Sequence, residues 1–201
     1  HACAAVFANG QALLVDPAWR WFGAPHQEFE VLDDLKTVAV FCFADEREGA
    51  KQARCAVGLK LWPDSLFGRL SLVNTLRQDR QFQQAKALLD ETPEPEGLSW
   101  NSYFYHSQCA AFALRQREVD RAYESIRKAL SAYPDGDTRY MLGTILLLRG
   151  ELRQAREEFR RTLRGRVDPD TAETVRRRIA QINEQIGFEP IDVDPQPTQA
   201  P

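Results

Sequence analysis

Long apolar runs, a charge excess, cysteine and methionine are all scarce in this 201-residue sequence, and each shortage excludes something. No apolar run approaches the roughly 20 residues of a membrane-spanning helix, so no membrane partner is expected. The N-terminal stretch lacks the basic segment, apolar core and small-residue cleavage site of a signal peptide. Lys and Arg number 26 against 29 Asp and Glu, a formal net charge of −3. Without a basic surplus the chain is expected to bind no nucleic acid. The four cysteines, at 3, 42, 55 and 109, match neither a CxxC pair nor a zinc module. They are too sparse for a disulfide scaffold. Cys42, Cys55 and Cys109 fall in apolar helical patterns, where Cys packs as a small hydrophobe, and reducing, cytoplasmic surroundings fit. No Gly-rich phosphate loop or HExxH pattern occurs, so neither cofactor nor metal is expected. The only Met is Met141 and the first residue is His1, which leads to the expectation of a piece of a longer protein.

What is present divides into three parts: 1–32, 33–188 and 189–201. In the first, two apolar runs, Ala2 to Ala8 and Ala12 to Val15, flank Asn9-Gly10. Asn-Gly between runs of strand length predicts a β-hairpin. Asp16-Pro17 ends the second run, since Pro cannot continue a central strand. The aromatic, turn-rich stretch Trp19 to Pro25 reads as an irregular packed loop. Two strands alone are marginally stable, so further sheet is expected upstream. The last part, FEPIDVDPQPTQAP, is Pro-rich and acidic and reads as a disordered tail.

The middle part is helical and periodic. In TRYMLGTILLLRGELRQAREEFRRTL, Leu142-Gly143 is followed by Leu146, Gly150, Ala155 and Phe159. Counting back from Ala155 gives Ala122, Ala85 and Ala53 as matching small residues, in steps of 33, 37 and 32. Each is preceded by an apolar pair: Cys109-Ala110, Leu72-Val73 and Ala39-Val40. Each is followed four residues on by Ile126, Leu89 or Val57, and Pro134, Pro93 and Pro63 close the units. The long step is absorbed by Pro93-Glu94-Pro95-Glu96-Gly97, a natural loop insertion. A helical hairpin cannot bury its apolar face alone, so such units stack and need a polar-backed end. The final helix supplies one: Val175, Ile179, Ile182 and Ile186 share a face, with Asp170 and Thr171 as candidate N-caps.

This segment resembles the tetratricopeptide repeat family over about three-quarters of the chain. The resemblance implies a mainly α fold: a right-handed stack of antiparallel helix pairs with a C-terminal capping helix, preceded by the short β-hairpin. It also implies a concave face, formed by the first (A) helix of each pair, that binds a protein or peptide. The concave candidates are Arg69, Asn74, Arg77, His106, Arg139 and Thr144. Arg69, His106 and Arg139 occupy the position usually held by Trp in the family. Self-association, or a purely bracing role for the repeats, is the structural alternative.

The first part resembles something else. Transglutaminase-like thiol enzymes carry a Cys on a helix, then a strand beginning with His, then a strand ending in Asp, often Asp-Pro. His1 and Asp16-Pro17 match the last two elements. The resemblance implies that His1 serves as base, and that Asp16 fixes the imidazole tautomer. The nucleophile would lie before His1; Cys3 does not occupy its place. Together the resemblances imply a repeat module forming the C-terminal part of a larger, bacterial-type transglutaminase-like protein. The alternative is that it belongs to a working Cys-His-Asp thiol enzyme for acyl transfer or amide hydrolysis.

Two further features stand out. WNSYFYHSQ is an unusually aromatic A helix, read mainly as repeat core, with an aromatic-lined partner groove as the alternative. Arg160 to Arg166 is a basic cluster offset by Glu157, Glu158, Asp168 and Asp170, which reads as a solvated helix face.

Overall fold

The computed structural model describes residues 4–8, 11–16, 21–22, 32–44, 50–165 and 167–187. The chain divides into two compact units, His1–Pro63 and Asp64–Pro201.

In the first unit, β1 (Ala4–Ala8) pairs antiparallel with β2 (Gln11–Asp16), in a register that places Ala4 opposite Val15 and Ala8 opposite Gln11. β3 (Trp21–Phe22) pairs antiparallel with β2, placing a short strand where the sequence suggested irregular loop. His1 and the Asn9-Gly10 turn on which the hairpin expectation rests lie outside the described residues, as does the tail 189–201. Two helices follow, α1 (Asp34–Ala44) and α2 (Lys51–Leu61). The Asp33 carboxylate caps α1 by accepting the Lys36 N–H at 2.8 Å. Ala39 and Phe43 of α1 are buried, with Cys55 and Gly58 of α2. A Cβ at Gly58 would lie 2.4 Å from the Phe43 ring, so only glycine fits beneath it. That contact sets the rotation of α2 and corrects the sequence spacing. Ala53 and Val57 are exposed, and Cys55 takes the buried place. Residues three apart share a helix face, so seating Gly58 turns Cys55 inward and the two predicted positions outward.

The second unit is helical: α3 (Leu66–Gln78), α4 (Phe82–Asp90), α5 (Trp100–Arg115), α6 (Val119–Ala132), α7 (Gly136–Leu148), α8 (Leu152–Arg164) and α9 (Pro169–Ile186). The A helices α3, α5, α7 and α9 start alike. Ser65, Ser99, Asp135 and Asp168 accept the backbone N–H three residues on, at 3.1, 3.1, 2.7 and 2.9 Å. For α9 this corrects the sequence reading. Asp168, not Asp170 or Thr171, is the cap, because Pro169 takes the first helical position, where its missing N–H costs nothing.

The turns into the B helices α4, α6 and α8 also repeat. Arg80, Arg117 and Gly150 hold left-handed backbone, with φ of 60, 62 and 76°. The next N–H reaches back five residues in each turn: Gln81 to Leu76, Glu118 to Ala113 and Glu151 to Leu146, at 2.8 to 2.9 Å. This double-back closure satisfies carbonyls that the helix end leaves unpaired.

Packing follows the period. Ala85, Ala122 and Ala155 are fully buried, so each B helix approaches its A helix closely. Phe159 of α8 lies over Gly143 of α7, where an added Cβ would come within 2.7 Å of the ring. Large and small are reversed relative to Phe43 over Gly58. Three core clusters succeed one another along the unit, built around Leu70 and Val73, then Ala110 and Ile126, then Phe159 and Val175. In the last, Val175 and Ile182 are buried with Ile179 and Ile186 packed against them, so α9 covers the open end of the third pair.

Candidate functional site

Three of the six candidate partner-binding residues lie on the seams between successive A helices. The Arg77 Nε donates to Gln108 Oε1 of α5 at 3.1 Å, and its Nη2 donates to Asn74 Oδ1 at 3.0 Å. Gln108 Nε2 reaches the same Asn74 oxygen at 3.5 Å. Every acceptor here is neutral. Burial pulls the Arg77 guanidinium down from its ordinary 12.5, and it stays charged. Between α7 and α9 the second seam repeats the pattern. Thr144 Oγ1 donates to Tyr140 O at 3.0 Å and accepts Arg178 Nη1 at 3.0 Å. The Arg178 guanidinium lies 5.3 Å from the Tyr140 ring centroid and 5.8 Å from that of Phe159.

The other candidates are engaged elsewhere. Arg139 donates to Glu158 Oε2 of α8 at 3.2 Å, and Glu158 also takes Arg161 at 2.9 Å. His106 is buried, with Nε2 3.5 Å from Glu94, the carboxylate that Lys128 of α6 grips at 2.8 Å. Burial lowers the His106 pKa, the Glu94 charge opposes that shift, and Lys128 adds to it. Glu94 is held below the ordinary carboxylate value, first by the Lys128 hydrogen bond. Arg139 thus faces a B helix, and His106 faces Glu94 of the loop ahead of α5, which Lys128 of α6 also holds. Both side chains are partly or fully buried, where a polar group needs a polar or charged partner. Arg69 holds the corresponding place in α3 and is half-buried. Of the transglutaminase-like pair, Asp16 is the last residue of β2, and His1 lies outside the described residues.

Sequence reasoning missed Gln108 and Arg178. Gln108 is buried in an aromatic helix, and Arg178 sits in the cap helix among outward arginines. One signal for Arg178 was available, since it follows Thr144 by 34 residues.

Two adjoining hollows, of about 300 and 260 Å³, lie on the B-helix side between α6 and α8. They share Arg127, Leu142, Glu158 and Arg161. Among the described residues, no group of three or more His, Cys, Asp or Glu is placed to hold a metal ion. Nor is any described helix long and apolar enough to cross a membrane.

Capped A helices, left-handed turns and close-packed small residues, repeated along one unit, define a tetratricopeptide-type helical-repeat fold. Solved structures agree. Human IFIT1 with m7Gppp-AAAA superposes with a TM-score of 0.54 at 17% identity, over 76% of this chain and 37% of IFIT1. Human IFIT1 with PPP-AAAA gives 0.53 at 17% identity, over 76% and 36%. MamA of AMB-1 gives 0.51 at 20% identity, over 77% of this chain and 85% of MamA. The similarity therefore spans little more than a third of IFIT1 and most of MamA. At these identities the likeness is one of fold. No protein-family model matches the chain, and no curated protein matches it by sequence.

Proposed function

We propose that this chain is a protein-interaction module that takes an acidic peptide along its A-helix seams, with Arg77 and Arg178 as the anion contacts. One observation carries the reading. Both guanidiniums are half-buried and aimed by neutral partners, and neither has a carboxylate partner among the described residues. A guanidinium carries five N–H donors. Arg77 commits Nε and Nη2 to neutral acceptors and Arg178 commits Nη1, which leaves donors for a carboxylate. Asn74, Gln108 and Thr144 act as positioning residues, because they fix the arginines without neutralising them.

Titrating the chain with a labelled Glu-rich peptide tests this. Saturable binding, weakened about tenfold by Arg77→Ala or Arg178→Ala, is the expected result. Binding indifferent to both substitutions would sink it. So would a preference for a 5′-triphosphate oligonucleotide, a chemistry of the kind bound by IFIT1.

Around this module we keep the partition 1–32, 33–188 and 189–201, with the first part as the end of a transglutaminase-like domain. Cys42 and Cys109 form no disulfide among the described residues, which supports a cytoplasmic setting. The enzymatic alternative retains one supporting observation: Asp16 closes a strand whose antiparallel neighbour is β1, the strand that His1 would precede. Reading the residues encoded before His1 tests it. A Cys opening a helix there supports the thiol-enzyme parent, and its absence ends that reading.

A further inference from the structure

A second surface lies where α5 and α7 begin and α6 ends. Trp100, Tyr103 and Tyr133 meet there, with ring centroids 4.8, 5.3 and 5.5 Å apart. Sequence reading assigned this aromatic helix mainly to the core, yet Trp100 is 52% exposed and Tyr133 49%. Leu98, just ahead of them in sequence, is 74% exposed. Exposed rings on a soluble stack need a reason, since burying them would stabilise the fold.

Carboxylates gather at the same place. The Tyr103 hydroxyl donates to Asp135. Asp137 is exposed, and its pKa is raised by burial of its carboxyl and by the nearby charges of Asp135 and Asp168. None of the three has a Lys or Arg partner among the described residues. Asp135 and Asp168 serve as helix caps, but Asp137 makes no capping bond. Ring faces and carboxylates attract the same thing, a cation. Phosphate backbones and anionic membranes are repelled. A second copy docking the same patch face to face would bring like charges together, which disfavours a dimer here.

We propose that this edge binds a basic peptide segment, with an Arg or Lys side chain laid on the exposed rings of Trp100 and Tyr133 and its charge held by Asp137, backed by Asp135 and Asp168. This surface is separate from the A-helix seams and takes peptides of the opposite sign.

The test is fluorescence anisotropy of a labelled Arg/Gly-rich peptide titrated with the full chain, with a Glu/Gly-rich peptide of equal length as control. Saturable, salt-weakened binding of the basic peptide is the expected result. Trp100→Ala weakens it about fivefold or more, and so does Asp137→Asn, while Arg77→Ala leaves it unchanged. Both Trp100 and Asp137 are exposed, and the helical circular dichroism of each variant checks that it folds. The proposal is overturned by no saturable binding, by equal binding of the acidic peptide, or by full affinity in both variants. Tighter binding of anionic vesicles or RNA than of the basic peptide would also overturn it.

Discussion

At the scale of single residues, contacts of a few tenths of an ångström decide much of the behaviour. Gly143 is buried against the Phe159 ring, and a Cβ there would stand 2.7 Å from it. Gly143→Ala should therefore cost about 1–3 kcal/mol, read as a lower urea midpoint. His106 and Asp137 give pH signatures of different origin. The folded pKa of His106 lies below the ordinary 6.5. As pH falls through 6.5 the unfolded chain takes up a proton that the folded chain refuses, so stability drops. Denaturation midpoints for His106→Gln should lose that drop just below pH 6.5. Asp137 works the other way, because its folded pKa lies above the ordinary 3.8. The folded chain holds that proton more tightly, so stability falls as pH rises from 3.8 through the raised value. Asp137→Asn should raise the melting temperature at neutral pH and leave it unchanged at about pH 3, below both values. The same substitution should weaken the basic-peptide site, so it separates folding from binding in one variant.

At the scale of elements, the A-to-B turns are one design written with two residue types. Arg80 and Arg117 hold the left-handed backbone that Gly150 holds more cheaply. A non-glycine residue there costs roughly 1–2 kcal/mol. Glycine loses more freedom on folding, which returns part of that. Arg80→Gly and Arg117→Gly should each stabilise the chain, by about 0.5–1 kcal/mol in chemical denaturation. These turns were hard to find in the sequence because arginine gives no turn signal, whereas Gly150 was visible at once. The A-helix caps were not read from the sequence: the only cap candidates named there, Asp170 and Thr171 for α9, gave way to Asp168. Asp135 joins two roles, accepting both the Thr138 N–H and the Tyr103 hydroxyl. Asp135→Ala should cost about 1–2 kcal/mol, more than removal of Ser65 at a cap with one bond.

At the scale of the repeat unit, stability runs from neighbour to neighbour. The third core cluster joins Leu146, Phe159, Val175 and Ile182, so α9 completes the pair before it. Ile182→Ala should cost about 2–4 kcal/mol, read by thermal unfolding, although the residue lies in the last helix. The two proposed binding surfaces also belong to this scale. The seams hold Arg77 and Arg178 with neutral partners, and the opposite-sign edge gathers Asp135, Asp137 and Asp168 from two helix starts. A near-neutral composition conceals this separation, because the net charge of −3 sums over both.

The sequence by itself determined the repeat: its period, the buried alanines 85, 122 and 155, and the polar-backed final helix. These follow from local spacing, since a helix face recurs every three to four residues. It also singled out Asn74, Arg77 and Thr144. Only the tertiary structure decided which way a polar residue at a given helix position turns. Arg139 found a carboxylate across the pair, His106 one in the loop ahead of α5, Arg77 the Gln108 amide on the next A helix, and Ala53 gave way to Cys55 because Phe43 had to sit on Gly58. Those choices depend on partners 12 to 34 residues away, as in His106 to Glu94 and Thr144 to Arg178. A period shows that units stack, while the packing between units fixes which arginines meet carboxylates and which meet neutral partners.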